Sequence, residues 1–248
     1  MSRQYKSLFI TTGLLALLST NLFAETLRPT GKSKLSQVRS SCSKWAKYSN
    51  KRGVDQLIVV FEGLSSFSQS YANKTYALYD LASKGKLKGS KTRKAPMNFV
   101  MKNLIGPQMS QIAKRSEILL LSEKTQRKKS ASVASTCLAE WSNTYNGQLD
   151  IVIIGHSFGG YSAINLSQRL HENSIPVKAV FTMDARTYPN KYKEFWTPKN
   201  VNRHINHFQK GVWMPGYKVK GAENSKFSTN HSGITNIEES KRVLQEII

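Results

Sequence analysis

The sequence predicts an α/β protein: a mainly parallel sheet covered by helices on both faces. Three observations carry that expectation. Four short runs are continuously apolar rather than alternating, the pattern of strands buried on both sides; they occupy residues 56–61, 117–122, 149–154 and 177–183. Segments of helical periodicity separate them, the rhythm of parallel strands joined by crossovers. A glycine-rich turn, Gly155-His156-Ser157-Phe158-Gly159-Gly160, joins the third run directly to a helical stretch.

Each element follows from its residues. Residues 33–49 have helical spacing, and Gln-Leu-Ile-Val-Val-Phe at 56–61 reads as a buried strand ending at Glu62-Gly63. Residues 68–83 are helical again. Met97, Val100, Met101, Leu104 and Ile105 then recur at helical spacing, followed by a second short piece with Met109 and Ile112. Two helical pieces between adjacent strands exceed a minimal crossover. They suit either a lid or interfacial helix, or an ordinary helix packed on the sheet. The strand at 117–122 is followed by a helix at 130–145 that stops at Asn146-Gly147. The strand at 149–154 leads through the glycine turn to a helix at 161–172, and 177–183 is the fourth apolar strand. Residues 201–208 alternate as a strand would, and a final helix closes the chain.

The chain has 248 residues, enough for one sizeable core. Residues 1–24 read as a secretory signal peptide: Arg3 and Lys6 precede an uncharged stretch from Ser7 to Phe23, and Ala24 closes it. An uncleaved anchor is the alternative, although the stretch is short for a span and is broken by Thr11, Thr12 and Gly13. The expectation is an exported protein, periplasmic or secreted, with residues 25–248 as one domain, taken as a monomer. The formal net charge is +22, with basic runs at Lys84 to Lys94 and Lys124 to Lys129. Such a surface attracts an anionic membrane or envelope. Neither run interleaves aromatic residues, which argues against nucleic acid as a partner. Cys42 and Cys137 each fall on an apolar helical stripe, and an exported chain permits a disulfide between them.

The chemistry centres on Ser157. A serine flanked by glycines on a sharp strand-to-helix turn is lifted above the strand end, where the helix amino terminus faces it. A serine hydroxyl needs a histidine base, and the base needs an orienting carboxylate. In this arrangement the chain order is serine, acid, histidine. Asp184 is the single aspartate after Ser157 and follows the 177–183 strand at its carboxyl end. Glu172, Glu194 and Glu223 are weaker rivals, the last two placed in polar loops. Of the later histidines, His171 lies near the end of the helix after Ser157. His204 and His207 lie on the alternating strand, where structural roles are commoner, and His207 is the second choice of base. His231 lies in a loop just before the final helix and is the first choice. Backbone N–H groups of Phe158 and Leu64 are expected to hold the oxyanion. No cofactor is expected, and the cysteines and histidines show no zinc spacing.

The glycine turn, the strand end at Asp184 and the Asn230-His231 loop together resemble the α/β-hydrolase superfamily, in particular its small lipase- and thioesterase-like bacterial members. The resemblance spans about residue 56 to the C-terminus. It implies an α/β-hydrolase fold and cleavage of ester or thioester bonds of small-molecule or lipid substrates through an acyl-enzyme on Ser157. Phe61-Glu62-Gly63 departs from the His-Gly of many members and puts a carboxylate near the expected oxyanion loop. Two other functions stay open: an amidase or peptidase with the same three residues, and a non-catalytic, cationic envelope-binding protein on a hydrolase scaffold.

Overall fold

A computed structural model describes residues 53–63, 99–122, 127–144, 149–187, 195–211 and 215–248. The signal segment, the helices expected at 33–49 and 68–83, the basic run at Lys84 to Lys94, Cys42 and Leu64 lie outside these residues.

The described residues form one six-stranded sheet. Its strands are β1 (Gln56–Glu62), β2 (Ser116–Ser122), β3 (Asp150–His156), β4 (Val177–Met183), β5 (Val201–Gln209) and β6 (Glu223–Phe227). Their order is β2-β1-β3-β4-β5-β6, and every neighbouring pair is parallel. The helices are α1 (Gly106–Arg115), α2 (Arg127–Thr144), α3 (Phe158–Glu172) and α4 (Glu238–Ile247). A π-helical turn at Met101–Ile105 runs straight into α1.

Side chains of alternate strand residues point to opposite faces, so each central strand feeds two cores. Ile58, Val60, Val152, Ile154 and Phe181 pack with Met101, Leu104, Ile105, Met109 and Ile112 and with Val243 and Leu244 of α4. Leu57, Val59, Phe61, Ile151, Ile153 and Val180 pack instead with Leu138 and Trp141 of α2 and Leu166 and Leu170 of α3. Burying one such side chain contributes about 1.5–3 kcal/mol, so a single charge on either stripe would cost heavily. The chain moves from β1 to β2 in one direction, then past β1 to β3 in the other. The connecting helices change face at that reversal, as right-handed crossovers require.

Several expectations meet particular outcomes. Residues 99–115 pack as a helix on the sheet, with Val100, Met101, Leu104, Ile105, Met109 and Ile112 buried in its core, the arrangement of an ordinary covering helix. Glu223 was expected in a loop and instead opens β6, where Arg203 pairs with it at 2.9 Å. Cys137 is buried and disulfide-bonded; the other cysteine of the sequence, Cys42, lies outside the described residues. Among the described residues no helix is long and apolar enough to cross a membrane.

Candidate active site

The sheet's strand order reverses between β1 and β3, and a parallel sheet opens a crevice at the carboxyl ends of its strands at such a point. The described residues of the site gather there. Ser157 follows β3 with φ 59° and ψ −127°, a sparsely populated conformation that costs on the order of 1–3 kcal/mol and persists where the surroundings over-determine it. Those surroundings are visible. Ser157 N–H donates to Met183 O at 2.9 Å, while Ser157 O accepts from Gly160 N–H and Arg186 N–H, each at 2.9 Å. The flanking glycines let the turn pass: a Cβ on Gly155 would overlap the carbonyl of Gly159, and one on Gly159 the carbonyl of Phe61. Phe158, the first residue of α3, lies at that helix's amino end.

Gly63, at the tip of β1, is pressed against the serine. A Cβ there would lie 2.8 Å from Ser157 Cβ and 3.3 Å from Ser157 Oγ. Gly63 therefore stands directly beside the hydroxyl. The donor expected there, Leu64, is outside the described residues.

Asp184 follows β4 as Ser157 follows β3, because His156 and Met183 are register partners. Its side chain is fully buried, and each oxygen is engaged. Oδ1 accepts from Gln209 N–H at 2.7 Å, and His231 Nδ1–H donates to Oδ2 at 3.0 Å. His231 reaches it from the loop between β6 and the Gly233–Thr235 turn. With Nδ1 committed to the carboxylate, Nε2 is the ring nitrogen left to take a proton.

The other histidines separate by environment. His171 is exposed on α3. His204 is buried and satisfied: Thr197 Oγ1 lies 2.7 Å from its Nδ1 and Thr182 Oγ1 lies 3.1 Å from its Nε2. His207, the second choice of base, is buried with Nδ1 2.9 Å from Ser240 Oγ and its ring between Phe181 and Phe227. It meets Asp184 only through its backbone, accepting from Asp184 N–H at 2.7 Å.

Two residues gain roles that motif reading did not give them. His156 Nε2 lies 2.8 Å from His231 O, its ring is 4.7 Å from that of His231, and Phe99 meets it edge-on at 5.6 Å. Burial, with the neighbouring His231 adding to it, pulls the His156 pKa down to about 3. The ring is therefore neutral, with its proton on Nε2. Glu62 reaches the start of the helical segment at 99–115. Its Oε1 accepts from Met101 N–H at 3.0 Å, and the N–H groups of Val100 and Phe99 also bond to the carboxyl. Burial pushes its pKa up to about 8 against the pull of those donors. The carboxylate expected beside the oxyanion loop is thus a mostly uncharged helix cap at neutral pH. Position next to Ser157 was the only sequence signal for His156, and nothing local marked Glu62 as a cap.

The described residues also form an open pocket of about 330 Å³ lined in part by Gln56, Gln108, Arg115, Ser116 and Gln245. It lies at the amino ends of β1 and β2, the opposite end of the sheet from Ser157. The chain matches no protein-family model and no curated protein sequence.

Proposed function

We propose that this protein is a serine hydrolase of the α/β-hydrolase type that cleaves carboxylic ester or thioester bonds through an acyl-enzyme on Ser157. The observation that carries this is the 3.0 Å contact between His231 and Asp184 beside a serine held at φ 59° on the neighbouring strand tip. The residues follow the chain order serine, acid, histidine, on a parallel sheet whose order reverses at the site.

In the proposed reaction, His231 Nε2 takes the Ser157 proton as the hydroxyl oxygen attacks the carbonyl carbon. Asp184 holds the imidazole in the right tautomer and stabilises its charged form. The Phe158 N–H and a donor from the segment after Gly63 hold the oxyanion. His231 then protonates the leaving alkoxide or thiolate. A water, deprotonated by His231, attacks the acyl-enzyme and releases the acid and free Ser157. Losing one oxyanion donor would cost about 10²–10³ in rate.

Export, and attraction of the basic surface to an anionic membrane or envelope, are proposed on the sequence alone. The test of the reaction is hydrolysis of p-nitrophenyl esters of increasing acyl length beside the matching anilides. Ester turnover that disappears in Ser157→Ala supports the proposal. Faster anilide turnover would favour an amidase, and no turnover of either by folded protein would favour a binding role.

A further inference from the structure

Arg186 stands two residues beyond Asp184. Its backbone N–H donates to Ser157 O at 2.9 Å, so its side chain is rooted one hydrogen bond from the nucleophile. Its guanidinium is only partly exposed. Nε and Nη1 are both buried and have no hydrogen-bond partner, and Arg186 forms no ion pair among the described residues. The adjacent Thr187 is buried, and its Oγ1 also lacks a partner.

This is an expensive arrangement to leave incomplete. Buried donors without a partner are unfavourable, and a guanidinium's fixed fork of donors matches a carboxylate or phosphate in two-point contact. Arg115 and Arg203, by contrast, have acidic partners at 3.1 Å and 2.9 Å. A net charge of +22 would also draw anions toward the molecule. We propose that Arg186, with Thr187 Oγ1 as a second donor, anchors an oxyanion carried by the substrate, so that the preferred esters are anionic. This rests on the ester-hydrolase reading of Ser157 and adds the substrate class to it.

Two matched pairs separate the sources of the anion. Monomethyl succinate against dimethyl succinate places a carboxylate on the acyl side. A butyryl ester of glycerol 3-phosphate against monobutyrylglycerol places a phosphate on the leaving side. The wild type should favour the charged member of one pair in kcat/KM by about tenfold to a hundredfold, the size of a charge-assisted contact. That ratio should fall toward one in Arg186→Gln and be only partly kept in Arg186→Lys, which retains the charge without the fork. A neutral preference in both pairs, or a ratio unchanged in Arg186→Gln, would overturn the proposal.

Binding is read separately in the Ser157→Ala background, by thermal unfolding with monomethyl succinate or inorganic phosphate. A melting-temperature rise that is lost when Arg186→Gln is added supports the anion site. No rise, or a rise that survives the change, counts against it. Anion binding through Arg186 without turnover of any ester would sink the hydrolase reading and leave the anion site standing. If Arg186→Gln does not fold, Arg186→Lys decides both arms: properties identical to wild type contradict the fork contact, and a reduced ratio and melting shift support it.

Discussion

His156 Nε2–H donates to the backbone carbonyl of His231 at 2.8 Å, so the residue before the serine holds the backbone of the proposed base. Asp184 holds the same histidine by its ring. The imidazole is thus fixed from two strand tips, β3 through His156 and β4 through Asp184. A neutral His156 suits that duty, because a second imidazolium 4.7 Å away would oppose protonation of His231.

His156→Phe keeps a ring against Phe99 and His231 but deletes the donor. We expect kcat for ester hydrolysis to fall about tenfold to a hundredfold, the cost of a small misplacement of a catalytic group. KM should change little, because the bond acts on the base and not on the substrate. Unchanged kcat in the folded variant would remove the positioning role.

Asp184→Asn should fold, since an amide oxygen can still accept from Gln209 N–H. It presents His231 with the wrong partner for a protonated ring. Steady-state kinetics should give a kcat loss on the order of 10³–10⁴. A loss below tenfold would show that Asp184 is not the orienting acid.

Stability should depend on pH in two opposed ways. Burial holds His156, His204 and His207 at about 3, 3 and 4, below the ordinary 6.5. The unfolded chain therefore binds their protons first, and stability falls as pH drops below 6.5. Each contributes up to about 1.4 kcal/mol per pH unit. Glu62 acts the other way. Its folded value near 8 lies above the ordinary 4.5, so its contribution is lost as pH rises between them. The sum places the maximum near pH 6–7, measurable by urea denaturation across pH. Glu62→Gln should flatten the decline from pH 6.5 to 8 and leave the acid limb intact.

Gly63 and Gly159 should fail differently when changed to alanine. The Gly159 methyl would overlap the Phe61 backbone, so Gly159→Ala should lower the melting temperature. The Gly63 methyl would crowd Ser157 Cβ and Oγ, so Gly63→Ala should lower kcat at least tenfold with a smaller stability loss. Equal activity in Gly63→Ala and wild type would separate the tip of β1 from the chemistry.

Strands β1 to β4 are legible because both faces of each are buried, which forces continuous apolar runs. Strand β5 is legible only as alternation, since His204, Asn206 and His207 are buried polar residues whose partners Thr182, Asn224 and Ser240 lie far along the chain. Strand β6, Glu-Asn-Ser-Lys-Phe, has no apolar run because it is an edge strand with little burial. Ser157, Asp184 and His231 could be ordered by chain position and strand ends, and the structure brings Asp184 and His231 into contact. The bond of His156 to the His231 carbonyl, the capping by Glu62 and the unpartnered guanidinium of Arg186 depend on tertiary approach, which no local pattern encodes.

Intact-mass measurement after reaction with a fluorophosphonate tests the role of Ser157 most directly. We expect the folded wild type to gain one phosphonyl group, with the adduct mapping to the peptide that contains Ser157, and Ser157→Ala to gain none. A folded wild type that stays unlabelled, or a Ser157→Ala variant that labels equally well, would contradict the proposed acyl-enzyme.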